Sequence, residues 1–560
     1  MKNARVPLAL GGFIATGLAV ALYPATPISQ APISPLAVSA TRVADLRQTA
    51  ATIERLQRDQ ILRITDVVQD PLLPHRTHQR LTQYHHDVRV IGADLTLQTE
   101  AGVPASAFGK IYPDISLDVV PRLSADEALM RLDPNGLRSL TAPPVLAVIL
   151  DRTTSSYRLV HELQTFGPDG LLTTQIDATT GAVVAERYAL RTQTTGLPCD
   201  DCAVGEGRGV KGDRKKISVR TRSGTFAADD GLRPARISTY DLAGDWSRAV
   251  DVLLERSALT AADLAADADN DWRDGVNVDA HVGSGWTLDY LYHRFGQRGL
   301  DGQGSPVTVL VHPVDRAALF TVPPEVAALF HLNAFFCATC GPHGMAVFGE
   351  GLPAGQTLGT TGQTLDFFAA GIDVVAHELA HAVTEFSSGL LNQGESGALS
   401  EAFSDLIGAG TEFFMAESGR HPAEQADYLI GEDVVRPGGI RSLSDPLAMG
   451  DPDHYSIRFI GASDNGGVHT NSTIASHVYF LAVEGGVNRT SGLAVSGLGV
   501  ERRELVEQIF YRAYSLMLPT SATFSMARAA TVQSARDLSD DEAVEQTIAA
   551  AWTAVGVEES

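Results

Sequence analysis

Hydrophobic and polar positions divide the chain into stretches of different period. From residue 83 to about 190 they alternate, as in YHHDVRVIGADLTLQTEAG and SYRLVHELQTFGPDGLLTTQIDATTGAVVAERYAL, with Gly, Asp and Pro as punctuation. A period of two predicts strands, and the punctuation predicts hairpin turns. DEALMRL (126–132) predicts a short helix between them, so this part reads as an α+β domain. Residues 28–80, rich in Ala, Arg, Gln and Leu, predict helix plus linker. TQTTGLPCDDCAVGEGRG (192–209) is polar and small, and predicts a loop, a domain boundary and a processing site. Short strands and turns follow to about 370, with helical pieces at 246–268 and 286–297. Beyond 370 the pattern is largely helical, and no internal repeat is present.

At 560 residues, several units are expected. The first residues, MKNARVPLALGGFIATGLAVALYPATP, carry Lys2 and Arg5, an apolar run from Val6 to Leu22, and the small-x-small stretch Ala19-Val20-Ala21 before Pro24. That is the form of a secretory signal peptide, shorter than the roughly 20 residues of a spanning helix. The chain is therefore expected to be exported, outside the cell or in a periplasm. A net charge of −24 argues against a nucleic-acid partner. The four cysteines form two CxxC pairs, Cys199/Cys202 and Cys337/Cys340. An exported setting favours disulfides within each pair. A four-cysteine zinc site and redox chemistry are the alternatives, and no thioredoxin-like βαβ pattern surrounds either pair.

The chemistry concentrates in DVVAHELAHAVTEF (373–386). An apolar helix of this kind seeks burial, and burying an imidazole or carboxylate without a partner costs several kcal/mol. His377 and His381 are four apart, so they share one helical face and can reach one metal ion. Glu378 lies beside the first ligand, which is the pattern of a metalloprotease: two ligands and a general base. His381 is not followed by G-x-x-H, so a carboxylate must supply the third ligand. ESGALSEAFSDLIGAG (395–410) predicts a returning helix that carries Glu401. Asp405 lies one turn later on the same face, where it can accept the outer N–H of a ligating imidazole.

HELAHAVTEF and GLLNQGESGALSEAFSDLIG resemble the active-site helices of the thermolysin-like metalloproteases, the glutamate-zincins. GEGRGVKGD, NAFF, RSLSDPLAMGDPDHYS, DNGGVHTNS and IFYRAYSLMLPTSATFSMARAATVQSARDL resemble further segments of that family in the same order, and YHHDVRVIGADLTL resembles its propeptide. The resemblance implies a signal peptide (1–25), a propeptide (26–198), a β-rich catalytic lobe (199–370) and an α-helical lobe (371–560). It implies one catalytic Zn²⁺ on His377, His381 and Glu401. Glu378 would polarise the attacking water, His469 would stabilise the oxyanion, and Asp464 would orient His469. Asn333 and the Ala334 backbone would hold a protein or peptide substrate as an added strand, and Arg441 would grip a substrate carbonyl. Leu365, Phe368, Val374 and Ile440 match a pocket for the side chain after the cut, which implies cleavage before Leu, Phe, Ile or Val. The propeptide would assist folding and block the cleft of what is expected to be a monomer.

The sequence departs from the family at several positions. Asn392 stands where a tyrosine commonly helps hold the oxyanion, and Ser400 replaces an asparagine. Asp373, Glu412, Asp427 and Glu432 match a double calcium site, but Leu429 stands where a further carboxylate is usual, so one Ca²⁺ is expected there. Asp267, Asp269 and Asp271 match a surface calcium site. CATCGPHG is an unusual insert after NAFF, and a Cys337–Cys340 bond would stiffen the cleft edge. Two other functions remain to be separated: a catalytically weak or inactive secreted binding protein on the same fold, to which only Asn392 points, and a disulfide oxidoreductase.

Overall fold

A computed structural model of the chain describes residues 36–559, apart from 41–42, 113–114, 134–137, 141, 152–155, 168–169, 189–200, 223, 360 and 423–425. The expected signal peptide, Cys199 and most of the expected processing region lie outside the described residues. Among the described residues no helix is long and apolar enough to cross a membrane.

Residues 36–188 form a mainly antiparallel sheet with the helices Val43–Arg58 and Ala125–Leu132. The second of these is the DEALMRL helix, with Ser124 and Glu127 completing a capping box. The expected linker before residue 80 is instead two strands, Leu62–Gln69 and Arg76–His85, paired with each other. Arg76–His85 is polar at nearly every position, and the alternation that opens Leu62–Gln69 breaks between Ile64 and Asp66, where the pairing shifts register.

The next unit carries a five-stranded sheet. The strands that matter here are β1 (Ile237–Asp241), β2 (Val307–Val311), β3 (Ala334–Cys337) and β4 (Met345–Phe348). Their spatial order is β1-β2-β4-β3, with Asp229–Asp230 outside β1. β3 runs antiparallel to β4 and is an edge of the sheet among the described residues. Part of the expected 192–209 loop is a strand, Cys202–Arg208, which pairs with Arg214–Arg222. Helix α1 (Gly275–Phe295) is longer than the expected 286–297 piece. Nearly every face of α1 is buried, so its sequence shows no amphipathic period. The helix expected at 246–268 ends at Leu253.

Beyond residue 370 come α2 (Ile372–Phe386), α3 (Gly394–Glu417), α4 (Asp464–Val483), α5 (Arg503–Arg512) and α6 (Phe524–Leu538). A single apolar core links them to α1 and to the five-stranded sheet. Phe108, from the first sheet, is part of the same core.

The first unit docks on the helical lobe through buried charges. Arg512 at the end of α5 is fully buried; its Nε donates to Asp70 Oδ2 at 2.7 Å and its Nη1 lies 2.8 Å from Asp537 Oδ2 on α6. Arg76 reaches Asp537 Oδ1 at 2.8 Å, and Gln98 Nε2 donates to Asp537 Oδ2 at 2.9 Å. Burial opposes the ionised form of Asp70, but its hydrogen bond with His78 and the Arg512 guanidinium hold its carboxyl well below the usual range. Removing one partner from such a network leaves uncompensated buried charge. Arg512→Met in the full-length chain is expected to cost about 3–5 kcal/mol, read as a lowered urea midpoint, whereas exposed Arg58→Met is expected to leave the midpoint unchanged.

Candidate active site

The site is built where α2, α3 and the start of α4 meet. Close approach depends on small residues. A Cβ at Gly408 of α3 would lie 2.8 Å from the Asp373 carbonyl of α2, and one at Gly397 would lie 2.4 Å from Val468 of α4. α4 begins with the DNGG stretch, where Asn465, Gly466 and Gly467 have φ of 48°, 92° and 80°. This left-handed run turns the chain so that Asp464 Oδ2 accepts from the His469 N–H at 2.9 Å and its Oδ1 lies 2.5 Å from His469 Nδ1.

Glu401 Oε2 lies 3.3 Å from His377 Nε2 and 3.6 Å from His469 Nε2, and Glu401 Oε1 lies 3.5 Å from His381 Nε2. Donor atoms of His377, His381 and Glu401 all fall within 4.8 Å of one another. Glu401 Oε2 is buried and makes no hydrogen bond of good geometry. An orphaned carboxylate oxygen facing imidazole nitrogens is the donor set a tetrahedral Zn²⁺ takes, so these residues fit that ion. The outer nitrogens are held as well. His377 Nδ1 lies 3.1 Å from Asp405 Oδ1, and His381 Nδ1 lies 3.3 Å from Ser404 Oγ. Asp405 is fully buried; it accepts from Arg441 Nη2 at 2.6 Å and from Ser476 Oγ at 3.1 Å.

These contacts set the charges. Burial alone would keep His377 neutral, yet Asp405 and Glu401 raise it to about 10. His381 is pushed down to about 4 by burial, and Glu378 is pushed up to about 7 by burial. Burial also works against charge on His469, but Glu401 and Asp464 hold it above its ordinary value.

Ser404 and Ser476 were not singled out from the sequence. The signal for Ser404 is its spacing, three residues after Glu401 on the face that meets α2. Asn333 precedes β3, and Ala334 begins it. Leu365, Phe368 and Val374 are buried, whereas Ile440 is 37% exposed at the rim. Asn392 is exposed in the loop between α2 and α3. Ser400 Oγ lies 3.2 Å from Thr384 Oγ1.

A second acidic group lies at the other end of α2. Donor oxygens of Glu412, Glu432 and Asp433 fall within 4.8 Å of one another. Both oxygens of Glu412, Asp373 Oδ1 and Glu432 Oε2 are buried without hydrogen-bond partners. Burial first, then the neighbouring carboxylates, raise Glu432 to about 9 and Glu412 well above the usual range. Asp433, next in sequence to Glu432, was missed; it pairs with Lys211. Asp427 Oδ1 is engaged by the Leu429 N–H at 2.6 Å. Asp267, Asp269 and Asp271 are not gathered in this way: Asp267 Oδ1 accepts from the Asp269 and Asn270 N–H groups, and Arg273 lies 3.4–3.5 Å from Asp269 and Asp271. Cys337 and Cys340 are bonded to each other. Cys202 is also disulfide-bonded.

The chain matches the family description "Thermolysin metallopeptidase, catalytic domain" over residues 204–385 and "Thermolysin metallopeptidase, alpha-helical domain" over 388–557. It is 34% identical over 510 residues to the thermostable neutral protease NprT of Geobacillus stearothermophilus, covering 86% of this chain and 83% of that one. The chain belongs to the thermolysin metallopeptidase family. It is a zinc metalloendopeptidase, and residues 62–111 match the "Fungalysin/Thermolysin Propeptide Motif". A thermolysin of Alicyclobacillus acidocaldarius is 33% identical over 509 residues, covering 86% and 83% of the two chains. A bacillolysin of Bacillus cereus is 38% identical over 362 residues, covering 63% and 55%. Among solved structures, the precursor of protealysin from Serratia proteamaculans is 27% identical, with a TM-score of 0.43, covering 57% of this chain and 87% of that one. The expected two-lobed catalytic fold behind an α+β propeptide is that of this metallopeptidase.

Asp405 orients His377 and neutralises Arg441 together. Asp405→Asn is expected to weaken zinc affinity of the metallopeptidase by about 10–100-fold, measured by competition with a chromogenic chelator. Unchanged affinity would show that Asp405 serves Arg441 alone.

Proposed function

We propose that this metalloendopeptidase is exported as an inactive precursor and cleaves peptide bonds ahead of Leu, Phe, Ile or Val. The observation that carries the reading is the convergence of His377, His381 and Glu401 about one point, with buried Glu378 adjacent to His377 on α2. In this reading those three residues hold the zinc. Bound Zn²⁺ supplies Lewis acidity and lowers the pKa of water from about 15.7 toward about 7. Glu378 takes the proton of the attacking water and passes it to the leaving amine. His469, held by Asp464, donates toward the oxyanion, and Arg441, held by Asp405, donates to a substrate carbonyl. Asn333 and the free edge of β3 receive the substrate as an added strand. Leu365, Phe368, Val374 and Ile440 contact the side chain after the cut, which sets the apolar preference. Asn392 is too short to take a tyrosine's part at the oxyanion, so transition-state stabilisation is reduced and not lost.

Residues 26–198 form the propeptide, released by cleavage near 190–203, which assists folding and blocks the cleft of a monomeric enzyme. The buried contacts of Asp70, Arg76 and Gln98 with the helical lobe support its role in folding. One Ca²⁺ binds Asp373, Glu412, Asp427 and Glu432. Buried oxygens of Asp373, Glu412 and Glu432 that no hydrogen bond satisfies support this, because such carboxylate oxygens gathered together call for a cation. Lys211, paired with Asp433, supplies positive charge beside the same group.

Glu378→Gln is expected to retain stoichiometric zinc while lowering kcat by about 10²–10⁴-fold on peptides with Leu or Phe after the scissile bond. The same peptides with Asp or Lys at that position are expected to be cut poorly by the wild type; equal rates would overturn the pocket assignment. Ca²⁺ at about 100 times its Kd is expected to stabilise the zinc-loaded chain by roughly 2.7 kcal/mol, seen as a rise in Tm that Glu412→Gln abolishes.

A further inference from the structure

We propose that the Cys337–Cys340 bridge positions the substrate-binding edge strand β3, acting on substrate affinity and not on the chemical step. The inference rests on the reading that substrate adds to β3 as a strand. Among the described residues β3 has a partner strand on one side only: Ala334, Phe335, Phe336 and Cys337 face Phe348, Val347, Ala346 and Met345 of β4. An edge strand receives a new strand well only if its free N–H and C=O groups are already aligned, because ordering them during binding costs affinity. Its start is fixed by the core, since Ala334 is buried. Its end is held only by the last rung, Cys337 opposite Met345, and by the Cys340 N–H 3.3 Å from the Cys337 carbonyl, before the chain leaves through a polar, glycine-rich turn, ATCGPHG.

The bridge ties that end to the body of the lobe. Cys340 is 5% exposed and packs among Leu242, Val252, Val326 and Phe330. Its Sγ lies 3.4 Å from the carbonyl of Leu253, the last residue of the helix Trp246–Leu253. The next residue, Gly341, donates its N–H to Glu255 Oε1 at 3.0 Å. Apolar packing of Cys340 and the hydrogen bond of the next residue thus hold the position to which Cys337 is bonded. The bridge spans a sequence separation of only 3. So short a closed loop removes little conformational entropy from the unfolded chain, so the consequence of the bond is local order at the strand end. The neighbouring turn is fitted to it: Gly344 has φ of 72°, and a Cβ there would meet the Phe336 ring at 2.4 Å.

The test compares the processed enzyme with its Cys337→Ser/Cys340→Ser double variant on two substrates. One is a hexapeptide long enough to run along β3 to Cys337; the other is a blocked dipeptide that reaches no further than Ala334. The expected result for the variant is KM for the hexapeptide raised at least about fivefold, kcat within about twofold, and dipeptide kinetics unchanged. An unchanged hexapeptide KM, or an equal loss on both substrates, overturns the proposal. If the double variant does not fold, Glu255→Ala, which removes the acceptor of the Gly341 N–H and leaves the bond intact, must show the same split in KM. An N-methyl scan of the hexapeptide separates the underlying reading from this one. If no N-methylated amide costs the wild type affinity, strand addition to β3 fails and the present inference falls with it. If N-methylation does cost affinity but the variants bind like wild type, only the positioning role of the bridge fails.

Discussion

The arrangement of the helical lobe turns on one constraint: charged groups taken out of water must meet partners or a cation. α2 and α3 cross so closely that Gly408 cannot carry a side chain. That approach brings buried His377, Glu401 and Asp405 together beside part-exposed His381, and burial makes an unpartnered charge costly there. Asp405 resolves part of the problem by facing both His377 and Arg441. Glu401 is left with an oxygen that no protein donor satisfies, an unmet acceptor of the kind a metal ion can take. The same logic repeats at the opposite end of α2, where Asp373, Glu412 and Glu432 are buried with orphaned oxygens.

A third instance joins the propeptide-motif sheet to the helical lobe. Arg512 is fully buried between Asp70 and Asp537, and Arg76 meets Asp537 from the other side. None of these four residues lies near another in sequence except Asp70 and Arg76. The lobe that carries His377, His381 and Glu401 is therefore bound to a unit encoded more than 300 positions earlier, by contacts that are costly to leave half-made. Phe108 adds apolar area to the same docking.

The convergence of His377, His381, Glu401 and Asp405 was legible in the sequence because helical spacing is a local rule. His377 and His381 must share a face, and Asp405 must follow Glu401 by a turn. The family resemblance then supplied His469 and Asp464, which no spacing rule reaches, since they sit on a left-handed DNGG turn far along the chain. Other features were hidden. The strands Leu62–Gln69 and Arg76–His85 carry polar residues at positions where alternation is sought. Helix α1 is buried on nearly all faces and so has no amphipathic signature. Ser404, Ser476 and Asp433 are ordinary residue types whose roles come only from what lies across from them.

The sequence by itself determined the periodic elements, the donor types and their spacing on each helix, because these depend on neighbours within a few residues. The tertiary structure alone decided which outer nitrogen meets which acceptor, that Arg512 is buried against Asp70, and that Cys340 is anchored beside Leu253 and Glu255. Those pairings join groups distant along the chain. They are chosen when burial makes an unpartnered charge or a loose strand end more costly than the ordering that removes it.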